Sequence, residues 1–265
     1  MTRRTFAASL IASLPCAVFA GETARDRGQR LIDKTIEGLG GDAFRKMRTR
    51  TEIGRASSFY RDQLTGYSQS RIYTKYLEPD SDAKILELQR QVFGNKKDDG
   101  AVLFTTNEGY DVTYRGAKPL ADDKVQQFRE TTLHDIFYIL RERLSEPGIE
   151  FEGVGADIVE NQPVEAFDIY DSENRNIRVW VNADTFLPVK QRYYRFDPVI
   201  GERREEVTRY TTWRAAGNGI MWPHAISRER DTEMVSELRS ERVTVNDPLP
   251  DSLFELPNGI KVLKK

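Results

Sequence analysis

The apolar positions recur first at helical spacing and then, over most of the chain, at strand spacing. Between Glu22 and Leu39 the residues Leu31, Ile32, Thr35, Ile36 and Leu39 share one stripe. Arg25, Asp26, Arg30 and Lys34 lie off it, which predicts an amphipathic helix. Gly40-Gly41 supplies the stop, and Asp42 can cap a short second turn through Met47. A second helix is expected from Ala121 to Leu144, where Val125, Phe128, Leu133, Ile136, Ile139, Leu140 and Leu144 recur at helical spacing. Asp122 or Asp123 can cap it, and Pro147-Gly148 ends it. Its apolar stripe must cover something, most simply a sheet.

Most of the remainder reads as strands. In residues 176–182, Ile177, Val179 and Val181 alternate with Arg178, Trp180 and Asn182, the period of a half-buried strand. Similar runs lie near 70–76, 84–93, 101–106, 164–170, 189–196, 205–213, 220–228 and 234–245. Turn signals separate them: Asp99-Gly100, Glu108-Gly109, Asn161-Gln162-Pro163, Asn182-Ala183-Asp184 and Asn218-Gly219. Strands so closely spaced pair antiparallel, because parallel neighbours need a crossover of about a dozen residues. No linker rich in Pro, Gly or Ser interrupts the pattern. Residues 21–265 are therefore expected to form a single domain, mainly antiparallel β with helices, of the α+β class. A long twisted meander curls, and the concave face so formed, partly filled by helices, is a natural place for an apolar ligand.

The amino terminus changes the setting. Arg3 and Arg4 precede an apolar run from Phe6 to Phe19, with Val18 and Ala20 at the positions a signal peptidase reads. The run is interrupted by Pro15 and is shorter than the roughly 20 apolar residues of a membrane-spanning helix. Residues 1–20 are thus expected to be a cleaved signal peptide. Thr2-Arg3-Arg4-Thr5-Phe6 also resembles a twin-arginine signal, so a Sec or a twin-arginine route stays open. Cleavage after Ala20 removes Cys16, the only cysteine, and the mature chain would rest on burial without disulfides. Lys and Arg number 40 against 42 Asp and Glu, a formal charge of -2. With no basic excess, neither nucleic acid nor an anionic membrane surface is an implied partner.

Candidate chemistry is sparse. The only histidines, His134 and His224, fit no metal-ligand spacing and read as structural or surface groups. No nucleophile elbow, phosphate loop or dinucleotide fingerprint is present, so no catalytic residue, metal or cofactor is expected. Glu205-Glu206, Asp98-Asp99 and Asp80-Ser81-Asp82 read as solvated turns and strand faces, the last lacking the glycine and distal glutamate of a calcium loop. Tyr73, Tyr76, Phe104, Tyr170, Trp180, Tyr193, Tyr194, Phe196, Tyr210, Trp213 and Trp222 all fall on predicted strands. They read either as ordinary sheet packing, since aromatics favour strands, or as a ligand wall.

The layout as a whole resembles a known family. A helix ending in Gly40-Gly41-Asp42 is followed by strands, an amphipathic helix and a strand meander, and the chain closes with Phe254-Glu255-Leu256-Pro257-Asn258-Gly259. Together with the element from Trp180 to Val189 and the strand start Gly219-Ile220-Met221-Trp222-Pro223, this looks like the periplasmic outer-membrane lipoprotein-sorting (LolA-like) superfamily. The resemblance implies a strongly curved, incomplete antiparallel barrel, with helices covering its concave face around a cavity for acyl chains. It also implies a periplasmic, non-enzymatic carrier of a lipid or lipoprotein acyl chain, acting as a monomer, with a possible protein partner in the envelope membranes. Tyr73, Phe104, Val125, Phe128, Ile136, Leu140, Trp180, Tyr193 and Trp213 are the candidates to line the cavity. In the lipoprotein carrier an early-strand arginine helps hold the lid shut; the comparable stretch here runs from Tyr73 to Pro79, with Arg71 and Lys75 as neighbours. Two other classes remain open: a sensor or scaffold that binds a protein, and a hydrolase using carboxylates.

Overall fold

The first apolar stripe folds into α1 (Ala24–Leu39). The Thr23 hydroxyl caps it by accepting a hydrogen bond from the Asp26 amide at 3.1 Å, which satisfies one of the unpaired donors of the first turn. At the other end Gly40 takes φ 119°, and the amides of Gly40 and Gly41 donate to the carbonyls of Glu37 and Ile36 at 3.0 and 2.8 Å. This is a Schellman cap, whose left-handed residue favours glycine because it has no Cβ. A short helix, α2 (Asp42–Arg45), follows. The structure, a computed structural model, describes residues 22–79, 85–94, 100–173, 175–197 and 200–264. The expected signal segment with Cys16, and the acidic runs Asp80-Ser81-Asp82 and Asp98-Asp99, lie outside the described residues.

Among the described residues thirteen strands form one antiparallel sheet. They are β1 (Thr49–Tyr60), β2 (Gln63–Tyr76), β3 (Glu87–Phe93), β4 (Ala101–Phe104), β5 (Gly109–Thr113), β6 (Gly116–Pro119) and β7 (Glu150–Val159), then β8 (Gln162–Tyr170), β9 (Asn176–Asn182), β10 (Pro188–Asp197), β11 (Glu202–Gly217), β12 (Ile220–Arg230) and β13 (Glu233–Val245). From β1 the chain steps outward to the edge strand β6. From the opposite edge, β7, it steps back inward to β13, which pairs with β1. The sheet is open rather than closed, a curled half-barrel of the expected α+β class.

Because β6 and β7 are opposite edges, the chain between them has to cross the whole sheet. It does so over the concave face as α3 (Asp122–His134), α4 (Ile136–Tyr138) and a π turn (Ile139–Arg143), here called the lid. The single helix expected from Ala121 to Leu144 is therefore broken. Asp135 leaves the helical region (φ −71°, ψ 126°), and its carboxylate accepts from the amides of Phe137 and Tyr138 at 2.9 and 3.4 Å, a fresh N-cap. The break is held from β10. Gln191 Oε1 accepts from the Ile136 amide at 2.9 Å and from the Tyr210 hydroxyl at 2.8 Å, while Nε2 donates to the His134 carbonyl at 3.1 Å.

The main core lies between this lid, α1 and the sheet, with Leu31, Ile32, Phe137, Leu140, Phe167 and Val179 among its buried members. α1 sits so close to β7 that a Cβ on Gly28 would come within 2.6 Å of the Phe151 backbone. On the other face, Leu256 and Ile260 of the C-terminal segment cover Leu103, Val112 and Ala117, and Val262 pairs with Ala117 along the edge of β6. That edge is thereby occupied and withheld from intermolecular pairing. The apolar alternation does not predict β1, β5, β6, β7 or the first half of β2. β5 and β6 are short, and β7 carries Gly153 and Gly155 in place of packing side chains. β1 turns Arg50 and Glu52 inward, against the usual pattern.

The far end of the lid is anchored by charge. Arg143, 4% exposed, donates to Asp171 at 2.6 Å and to the Leu133 carbonyl at 2.5 Å, and Arg175 meets the same carboxylate at 2.6 Å. Burial pushes the Asp171 carboxyl up, but the two guanidiniums and the Arg175 amide outweigh it and hold it at about 2. The stability this contributes is complete above the ordinary value of 3.8 and is lost as pH falls toward 2. Asp171→Asn removes one of the two carboxylates that Arg143 meets, leaving Glu146 at 2.6 Å, and is expected to cost about 1–3 kcal/mol in chemical denaturation at pH 7. The difference from wild type should shrink as the pH approaches 2; an unchanged midpoint at pH 7 would rule out the anchor.

Candidate functional site

Between the lid and the concave face of β1–β4, β12 and β13 lies a cavity of about 910 Å3. Ligand pockets occupy roughly 300–1,000 Å3. Alternation along the strands sends Arg50 and Glu52 of β1, Ser70, Ile72 and Tyr76 of β2, Glu87, Gln89 and Gln91 of β3, and Trp222 and Ile226 of β12 to its wall. On the β3–β4 side the wall is apolar. Phe93, Val102 and Phe104 face Leu120 and Phe128 of the lid segment, and the rings of Phe104 and Phe128 stack with centroids 3.8 Å apart.

Beneath α4 the wall becomes polar. Arg50 and Glu52 are 9% and 3% exposed and pair at 2.9 Å. The Arg50 guanidinium also donates to the hydroxyls of Tyr76 and, at 3.3 Å, Thr74, and stands 4.1 Å from the Trp222 ring centre. Ser240 donates to the second Glu52 oxygen at 3.1 Å, so this pair is satisfied within the protein. Along β3 the Gln91 amide donates to Gln89, and Gln89 donates to Glu87 Oε1 at 3.0 Å. Glu87 has no ion-pair partner among the described residues. Burial pushes its carboxyl up to about 7, with Arg50 opposing the shift and Asp135 adding to it. Burial likewise raises the Asp135 carboxyl, against the pull of Arg228 and Arg50. The site can thus hold an apolar chain while presenting the Glu87 and Asp135 carboxyls, both raised by burial, to a polar group.

Of the residues expected to line a cavity, Phe104 and Phe128 do so together. Val125 packs instead against Gly109 and borders a separate pocket of about 580 Å3 on the outer side of α3. Ile136 and Leu140 point into the main core with Tyr193, whose ring stacks on His134 at 4.1 Å. Trp213 meets Phe137 edge-on at 6.1 Å at the margin of that core. Tyr73 lies on the outer face of β2, paired in register with Arg90. Trp180 is also on the outer face, because Ile177, Val179 and Val181 take the inner one. It packs with Val164, Ala166 and Val189, and its indole donates to Asp157 at 2.9 Å. Arg71 and Lys75 share the outer face with Tyr73, and Lys75 pairs with Asp251. Of the lid's arginines, Arg141 donates to the carbonyls of Phe44 and Met47 at 2.5 and 2.7 Å and stacks over Tyr76. His134 and His224 are buried and hydrogen-bonded to the Glu130 and Ser240 carbonyls. Arg50, Glu52, Glu87, Gln89 and Gln91 gave no signal in the sequence as site residues, since charged and amide residues alternating in a strand ordinarily mark its solvated face.

No protein-family model matches the sequence, and a search of curated proteins finds no significant match. Solved structures do match. A DUF1329 family protein from Desulfovibrio piger superposes with a TM-score of 0.59 at 13% identity, over 86% of this chain and 97% of that one. A domain named for outer membrane lipoprotein sorting, from Vibrio parahaemolyticus, gives 0.55 at 11% identity with the same coverage. A LolA superfamily protein from Nitrosomonas europaea gives 0.49 at 14% identity. The first two show that this chain shares their fold at low sequence identity.

The raised Glu87 carboxyl makes a prediction about stability. An acid whose folded value lies above its ordinary 4.5 favours the native state most below that value, and the benefit is lost as pH rises through about 7. Glu87→Gln keeps the acceptor for Gln89 and removes the buried charge. The variant is expected to be more stable than wild type at pH 8, by about 1–3 kcal/mol, and to gain nothing at pH 4. Denaturant midpoints at the two pH values check this.

Proposed function

We propose that the protein is a non-enzymatic carrier or binder of a lipid, a lipoprotein acyl chain or another molecule with an apolar chain, working in the periplasm with a protein partner in the envelope membranes. The observation that carries this reading is the 910 Å3 cavity between the concave face and the lid. The likeness in fold to a domain named for lipoprotein sorting supports it. Each methylene of a chain laid against Phe93, Val102, Phe104 and Phe128 contributes about 0.8 kcal/mol on leaving water. Entry and release then require α3 to part from β4, where Phe104 and Phe128 form the contact.

Protein purified from a membrane-containing host is expected to yield lipid on organic extraction and mass spectrometry, and to bind a fluorescent fatty acid once delipidated. Val102→Trp, which fills the apolar side, is expected to weaken that binding at least about tenfold, the equivalent of roughly two lost methylenes. No extracted lipid together with no probe binding would sink the reading. The raised carboxyls of Glu87 and Asp135 favour one alternative, a carboxylate hydrolase. Its signature would be turnover of an ester or glycoside substrate that Glu87→Gln abolishes.

A further inference from the structure

We infer that the cavity selects an amphiphile with a cationic head, an amine or quaternary ammonium group seated against Glu87 and Asp135 beneath α4, with its tail running toward Phe104 and Phe128. This rests on the reading of the cavity as a site for an apolar chain. Four carboxyls line the cavity, Glu52, Glu87, Asp135 and Glu237. Among the described residues Glu52 pairs with Arg50 and Glu237 with Arg239, whereas Glu87 and Asp135 have no ion pair, and Arg50 is already engaged by Glu52, Tyr76 and Thr74. Arg141, behind Tyr76, is engaged by the Phe44 and Met47 carbonyls and by Glu142. Arg228 and Lys124 border the cavity as exposed side chains.

A buried carboxyl without a cation is held at a cost, either as a poorly solvated anion or as a displaced proton. A cationic ligand removes that cost, whereas an anionic head would find Arg50 and Arg141 already engaged at this wall and, of the guanidiniums, only Arg228, an exposed side chain, left to meet it. Tyr76, Phe137, Tyr138 and Trp222 surround the same space, and aromatic faces beside carboxylates are the recognition chemistry of ammonium groups. The groups facing Glu87 are Arg50 and Glu52 from β1, Tyr76 from β2, Asp135 and Tyr138 from the lid, and Arg141 from its π turn. Glu87, partly protonated near neutrality, must therefore release its proton when a cation binds.

Calorimetric titration of the delipidated full chain with decyltrimethylammonium, decanol and decanoate, each below its micellar concentration, tests this. At pH 8 the ammonium compound is expected to bind about tenfold or more tightly than decanol, with decanoate the weakest. At pH 7 its binding should release protons, seen as a heat that differs between buffers of different ionisation enthalpy. Glu87→Gln should bring the ammonium-to-alcohol affinity ratio close to one, and Glu87→Asp should keep part of the preference. Decanoate binding as tightly as the ammonium compound, a preference unchanged in Glu87→Gln, or no proton release from wild type would overturn the inference. Should decanol bind without an ammonium preference, only the cationic head is refuted; should none of the three bind, the chain-binding reading itself falls.

Discussion

The pairing of β13 with β1 sets where everything else must go. It joins a meander that grows outward from β1 to one that grows inward to β13, and so puts β6 and β7 at opposite edges of the same sheet. The segment between those edges cannot turn tightly. It has to span the concave face, and that crossing is the lid. The same pairing brings the N-terminal β1–β4 and the C-terminal β12–β13 to the two sides of one cavity. Without it the aromatic residues of β4 and β12 would belong to separate surfaces.

The lid is held at its break and at its far end by buried polar groups rather than by apolar packing alone. Gln191 satisfies the backbone on both sides of Asp135, and Asp171 takes two guanidiniums at the other end. Such groups are costly to leave unpaired, so they define one lid position more sharply than apolar contacts do. Nearer the mouth α3 is held by the Phe104–Phe128 stack, by Val125 against Gly109 and by an exposed hydrogen bond from Arg129 to the Asn107 carbonyl. An element fixed by buried hydrogen bonds at one end and by these more exposed contacts at the other has a natural direction of opening, from α3 first.

The cavity wall inverts the rule by which strands are recognised. In β1 and β3 the inward positions are Arg50, Glu52, Glu87, Gln89 and Gln91, and burial of this set is tolerated because most of it is mutually hydrogen-bonded. Glu87 and Asp135 are the members least compensated, and both carboxyls rise as a result. Departures of this kind from local pattern are where a binding site is to be sought.

By itself the sequence determined a good deal. The stripe of Leu31, Ile32 and Leu39 with its Gly40 stop, the alternation of Ile177, Val179 and Val181, and the turn glycines were legible as α1, β9 and an antiparallel meander, because each rests on contacts between near neighbours in the chain. The fold-level resemblance followed from the order of those elements. Only the tertiary structure decided that Trp180 faces outward while Phe104 faces in, that the lid breaks at Asp135, and that Arg50 and Glu87 are interior. The reason is physical. Period-two alternation separates the two faces of a strand but does not say which is the inner one, and a buried polar side chain is recognisable only once its partner, often more than a hundred residues away as with Glu52 and Ser240, is in place.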